Sequence, residues 1–190
     1  MQSLLDIIGA TIIGGLLMVT MFTSMITIQE NNMILKGEMQ IITELEYISN
    51  MIDDYYMDKI GYELPSTTEA FPVADQNEVW FNAKLDDGDN NIYLVKISTS
   101  GEVLPYGYPM NIVVTGLPDV GPIYLADNLV FAYFDVSGNE IDSATLASEP
   151  GRATIRSIQI EMVVYQGEYN TDTMRARTLV FTKYFPNLAI

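Results

Sequence analysis

From Ile7 to Ile28 the chain runs through 22 consecutive residues without a charged side chain. At about 1.5 Å per residue, an α-helix of that length covers the roughly 30 Å hydrocarbon core of a bilayer. A helix buried in a soluble core rarely runs past about 14 residues without a charge, so the segment reads as a membrane-spanning helix. A secretory signal peptide would carry a basic stretch ahead of its apolar run. Here the first basic residue is Lys36, after the run. The expectation is therefore an anchor helix in a chain that begins where a basic leader has been removed.

Within this span, Ala10 and Gly14, and Thr11 and Gly15, stand four residues apart. That small-xxx-small spacing lets helices approach closely in lipid. Gly14 and Gly15 side by side each weaken a helix by roughly 1 kcal/mol relative to alanine. Gly9, Ala10, Gly14 and Gly15 are accordingly the candidate positions for helix packing and for local melting. Asp6 is the one charge at the apolar end. A carboxylate at a membrane edge costs several kcal/mol unless paired, which makes Asp6 a functional candidate; as an acid at a helix N-terminus it would also suit the helix dipole.

Helical periodicity continues beyond the membrane run. Ile34, Ile41, Leu45, Ile48, Ile52 and Tyr55 form one apolar stripe, with Glu38, Glu44, Glu46, Asp53, Asp54 and Asp58 largely off it. No proline precedes Pro65, so the pattern predicts a single helix to about Ile60, roughly 85 to 90 Å long, closed by Gly61 at its C-cap. Short β-rich runs follow: VWFNAKL, NIYLVKIS, MNIVVTGL, LVFAYFDV, TIRSIQIEMVVYQ and RARTLVFTKYF. Asp86 to Asn91 and Ser137 to Asn139 read as hairpin turns, and four prolines mark residues 101–124 as a loop region. The expected fold class is α+β: a long N-terminal helix, apolar in its first half (1–28) and amphipathic in its second (29–61), packed against a C-terminal antiparallel β-sheet domain (62–190).

Composition narrows the chemistry. The 190 residues contain neither histidine nor cysteine. That removes histidine-based triads, thiol nucleophiles, disulfides and imidazole or thiolate metal sites. The formal net charge is −16, yet 48 % of residues are hydrophobic, too many for a disordered acidic tail. Of the 25 acidic residues 24 lie beyond residue 28, as do all nine basic ones, so the charge belongs to the water-facing part. The bases are scattered, and no direct nucleic-acid binding is expected. Asp86, Asp87 and Asp89 form a weak Ca²⁺ candidate without the spacing of an EF-hand loop, and a plain turn is the favoured reading. The tyrosines and phenylalanines are expected mostly at core-facing positions rather than in a conducting stack. No enzyme and no cofactor are expected.

Taken in order, an acid ahead of an apolar helix, an amphipathic continuation and a β domain resemble a type IV pilin or pseudopilin. Asp58-Lys59-Ile60-Gly61-Tyr62 is similar to the close of the helix in minor pilins and pseudopilins. Ala74 to Phe81 leading to Leu85-Asp86-Asp87-Gly88 resembles their first strand and acidic turn. Phe131 to Asp135, Gly138-Asn139-Glu140, Ile155 to Ile160 and Phe185 to Leu188 resemble their last strands. Asp6 matches the family's glutamate, which is thought to neutralise the N-terminal amine of a neighbouring subunit during assembly. Aspartate stands in its place here, and there is no helix proline near residue 22. The resemblance implies a structural subunit of an extracellular type IV pilus-like filament, a homo-oligomer that resides in the inner membrane before assembly and is handled by a pilus assembly machinery. A minor pseudopilin of a secretion or DNA-uptake apparatus, or a stand-alone membrane-anchored binding domain, are the alternatives.

Overall fold

The computed structural model describes residues 2–65, 67–85 and 91–188. They fall into two compact units, Met1–Gln40 and Ile41–Ile190. The first is helix alone. Helix α1 (Gln2–Asn50) runs unbroken through the apolar segment and on into the second unit, where its end belongs.

In the second unit the stripe read from the sequence is buried at Ile41, Leu45, Ile48 and Ile52. Its last member is not: Tyr55 is 55 % exposed, whereas Tyr56 is 4 % exposed. The α-helix also stops ten residues before the expected end, at Asn50. Helical winding continues as a π stretch, Met51–Tyr56, and a 3₁₀ turn, Met57–Lys59. The Met57 N–H donates to both Ile52 O and Asp53 O, the first of these spanning five residues. A turn widened in this way carries the inward face forward along the chain, so Tyr56 and Met57 enter the core in place of Tyr55. Gly61 then closes the helical path with φ +76°, as the C-cap reading requires.

The remainder is antiparallel β structure, and the α+β class holds. Strands β1 (Val73–Ala74), β2 (Glu78–Ala83), β3 (Tyr93–Thr99), β4 (Tyr108–Val114) and β5 (Val120–Leu125) form one five-stranded sheet in sequential order. Strands β6 (Val130–Phe134), β7 (Ser157–Gln166) and β8 (Arg175–Tyr184) form a second sheet, with short helices α2 (Ser143–Leu146) and α3 (Glu149–Arg152) between β6 and β7. The single expected sheet is thus two, joined where Phe131 N donates to Gln76 O (2.8 Å) and Ala126 N to Val163 O (2.7 Å). Alternate residues of each sheet face one core: Val79, Phe81 and Ala83 on β2, Val95 and Ile97 on β3, Ile158, Ile160, Met162 and Val164 on β7. Ile41, Leu45 and Ile48 of α1 join the same cluster.

Within residues 101–124, marked as a loop region by their prolines, the expected run at 110–117 forms β4, and β5 is a further strand that no expected run covered. Proline is tolerated at strand starts and on edge strands. Pro109 is the second residue of β4, and Pro122 sits on β5, the edge of its sheet. The Ser137–Asn139 turn is present, with Gly138 at φ +78°. Its second arm is only the bridge Phe134↔Glu140, because Asp142 then caps α2 by accepting the Thr145 N–H at 2.7 Å. The other expected turn lies almost wholly outside the described residues.

The π stretch generates a sharp contrast between neighbours. Tyr56→Ala should lower the unfolding free energy of the second unit by about 3 kcal/mol or more, in the range for emptying a large core site. Tyr55→Ala should cost about 1 kcal/mol, the worth of its edge-on ring contact with Tyr56 at 4.9 Å. Chemical denaturation of the full chain in detergent, followed by near-UV circular dichroism, measures both; equal losses would remove the register shift.

Candidate functional site: the apolar helix

In the first unit almost every described side chain is exposed. Leu4, Leu5, Ile7, Ile12, Ile13, Leu16, Leu17 and Val19 all expose more than half of their surface. None of the apolar window is buried inside the chain, and the helix is long and apolar enough to cross a membrane. Four of its hydroxyls find partners on the helix itself. The hydroxyls of Thr11, Thr20, Thr23 and Thr27 donate to the carbonyls of Ile7, Leu17, Val19 and Thr23 at 2.8–3.0 Å. A hydroxyl moved into hydrocarbon without a partner costs several kcal/mol, and these four carry their partners on their own helix.

Asp6 lies exposed one position before Ile7, and among the described residues it has no partner. A Cβ built at Gly9, Gly14 or Gly15 meets nothing within 4 Å, so these positions are open rather than packed. The helix is continuous α through Gly14 and Gly15, the expected site of melting. Ala10 shares a face with Gly14, and Thr11 with Gly15, as their four-residue spacing requires. Asp86, Asp87 and Asp89 lie outside the described residues. Among the described residues, no group of three acids is placed to hold a metal ion.

The expectation that most aromatic side chains face the core needs correcting. Phe71, Phe81, Phe131 and Phe185 are buried, but only Tyr56 and Tyr133 of the tyrosines are. Tyr47, Tyr55, Tyr62, Tyr106 and Tyr184 are exposed. A tyrosine satisfies both halves of its character at a surface, its ring on apolar neighbours and its hydroxyl in water, whereas burial obliges it to find a partner. Tyr133 finds one, donating to Asp75 O at 2.8 Å, and its burial holds the phenol far above its ordinary pKa.

Two clasps in the second unit gave no signal in the sequence, because each joins residues far apart along it. Arg152, 14 % exposed, is held by Glu69 Oε1 (2.8 Å), Phe71 O (2.8 Å) and Leu146 O (3.1 Å), fastening α3 to residues 69–71 and to α2. Lys183 on β8 reaches Asp53 Oδ1 (2.6 Å) in the π stretch and Asp58 Oδ1 (2.5 Å) in the 3₁₀ turn. Burial of the ammonium disfavours its charge, but the hydrogen bonds and attraction from the two carboxylates outweigh that and raise its pKa.

Against this geometry, comparison with known proteins finds no family model, no curated protein and no solved structure that matches the chain.

Because the Lys183 pKa is raised on folding, its stabilisation is fully present below the unfolded value near 10.5 and is lost as pH rises through the folded one. Lys183→Met should therefore lower stability at pH 7 by about 1–2 kcal/mol, a figure reduced for the partial exposure of the acids. Denaturation of wild type and variant at neutral pH and near pH 11 checks this: the gap should narrow in alkali, and a gap that widened would contradict the assignment.

Proposed function

We propose that the chain is a structural subunit of a type IV pilus-like filament, anchored in the membrane by α1 before assembly and polymerised through the same helix afterwards. The observation that supports this reading is the apolar surface of Leu4 to Ile28, none of which the chain covers itself. Lipid is one environment that accepts such a surface. Once the helix leaves lipid, the equally apolar surface at hand is the same helix of other copies, and a helical filament with a helix-lined core results. Open glycines at positions 9, 14 and 15 permit close helix approach in that core.

Asp6 then carries the assembly step, as the resemblance to pilins implies. Its carboxylate has no partner within the described residues and would be costly in an apolar core alone. A neighbouring subunit's N-terminal amine supplies the opposite charge, and the pair fixes the axial register between subunits. The acidic β domain forms the outer surface. A stand-alone anchored domain would use the same helix but would not need Asp6.

Electron microscopy of sheared cell-surface material should reveal filaments containing this chain; a strictly monomeric membrane protein would sink the proposal. Asp6→Ala should abolish filaments while leaving membrane insertion and the fold of the second unit unchanged, with Asp6→Glu restoring assembly. Filaments undiminished by Asp6→Ala would rule out the ion pair. Since the charge resides outside the apolar segment, bundling should strengthen as ionic strength rises from about 0.01 to 0.15 M, which shortens the screening length from roughly 30 to 8 Å. Light scattering of purified filaments across that range measures the effect.

A further inference from the structure

The outward face of the β6–β7–β8 sheet carries an open groove of about 640 Å³, within the size range of small-ligand sites. Strand register explains its shape. Ser157 on β7 lies opposite Phe134 on β6 and Tyr184 on β8, so a small residue sits between two aromatic ones in one row across the sheet. With neighbouring strands about 4.8 Å apart, the two aromatic residues stand roughly 10 Å apart at their backbones, leaving a slot one ring wide. The next row, Ala132–Gln159–Thr182, extends the floor. The turn at residues 135–138 forms one rim, and Arg156 and Phe185 close the end.

The slot is fixed from both sides. Arg156 N donates to Phe134 O (2.8 Å), and Phe185 N to Arg156 O (2.9 Å), continuing the ladder past the ends of the strands. Asp135 accepts from Ser137 N (2.7 Å), Asn139 N (2.9 Å) and Asn139 Nδ2 (3.2 Å), which locks the turn and engages its carboxylate. Tyr184 nevertheless remains 70 % exposed and Val136, at the turn, 82 %.

We propose that this groove binds a saccharide ring bearing a carboxylate, a uronic acid residue. Three observations favour that chemistry over a peptide. First, the floor is a sheet face whose β7 backbone is already paired on both sides, so an extended peptide would find no partners for its own N–H and C=O groups. Second, Ser157, Gln159 and Thr182 present hydroxyl and amide groups that make no hydrogen bond among the described residues, and these suit a ligand rich in hydroxyls. The weakly positive C–H face of a pyranose meets the negative face of the Tyr184 ring. Third, in a chain of net charge −16, Arg156 has no acidic partner among the described residues. Its Nη1 is held by Ala153 O and Ile155 O, both at 2.8 Å, which fixes the guanidinium and leaves its other nitrogens for an anion. This proposal does not depend on the filament reading.

The test is saturation-transfer NMR on the full chain in detergent micelles, with methyl glucuronide and methyl glucoside as probes. Methyl glucuronide should receive saturation, and methyl glucoside should bind about tenfold more weakly or worse, the loss expected for one charge-assisted contact. Arg156→Gln should bring the glucuronide down to the level of the glucoside. Tyr184→Ala, at an exposed position, should remove binding of both while leaving thermal unfolding unchanged, and Tyr62→Ala, outside the groove, should alter neither. The proposal is overturned by the absence of transfer to either sugar, by binding that survives both Tyr184→Ala and Gln159→Leu, or by an oligoglutamate peptide that binds more tightly than the glucuronide.

Discussion

The strongest physical constraint on this chain is an apolar helical surface that the chain does not cover. Burying apolar area yields roughly 25 cal/mol per Å², so a span such as Ile7–Ile28 left in water is a large unfavourable term with nothing in the described structure to offset it. The side chains are consistent with an environment supplied from outside: four threonine hydroxyls bond to their own helix, and the one nearby charge sits at the edge of the run. From Ile41 onward the same helix obeys the opposite rule. There its inward residues are almost inaccessible, and the exposed ones are dominated by acids and tyrosines.

Within the second unit, the change from α to π winding at Met51 sets which residues complete the core. Six residues of widened helix place Asp53 as well as Tyr56 and Met57, and Asp53 with Asp58 receives Lys183 from the far end of the chain. The clasp joins the helix end to β8, whose outer-face residues Thr182 and Tyr184 line the groove. One lysine thus connects the local geometry of the helix to the position of the last strand.

Much of this was legible from the residues. Periodicity located the helix and four of the six stripe positions that become buried, and alternation located all six of the long β runs. What escaped has physical causes. A π stretch differs from α by one residue per turn, and the apolar pattern from Ile48 to Met57 accommodates either winding. β5 was hidden by Pro118 and Pro122, because proline signals a loop unless the strand is known to be an edge, and edges are a property of the finished sheet. The division into two sheets, the Arg152 and Lys183 clasps and the Phe134–Ser157–Tyr184 row all depend on pairings across long stretches of chain, which no local pattern encodes. Asp6 and the glycines, by contrast, were conspicuous in the sequence and gain little from the fold, since the described residues offer them no packing or ionic contact.

The surfaces involved also separate two kinds of interaction by chemistry. The apolar helix offers area without direction; in the proposed filament, small residues and one carboxylate would give it register. The groove on the β6–β7–β8 sheet offers little area but fixed direction, with two rings, three polar side chains and an arginine held at defined places by backbone hydrogen bonds. A chain that is −16 overall repels its own copies through the acidic domain, so in the proposed filament the helix must supply enough cohesion to overcome that repulsion. The same acidity disfavours anions over most of the domain, which is why Arg156 matters. In so negative a field an anion is retained only where a rigid cation at short range outweighs the long-range repulsion, and salt, by screening the latter first, would weaken the discrimination between acidic and neutral ligands less than it weakens the repulsion between subunits.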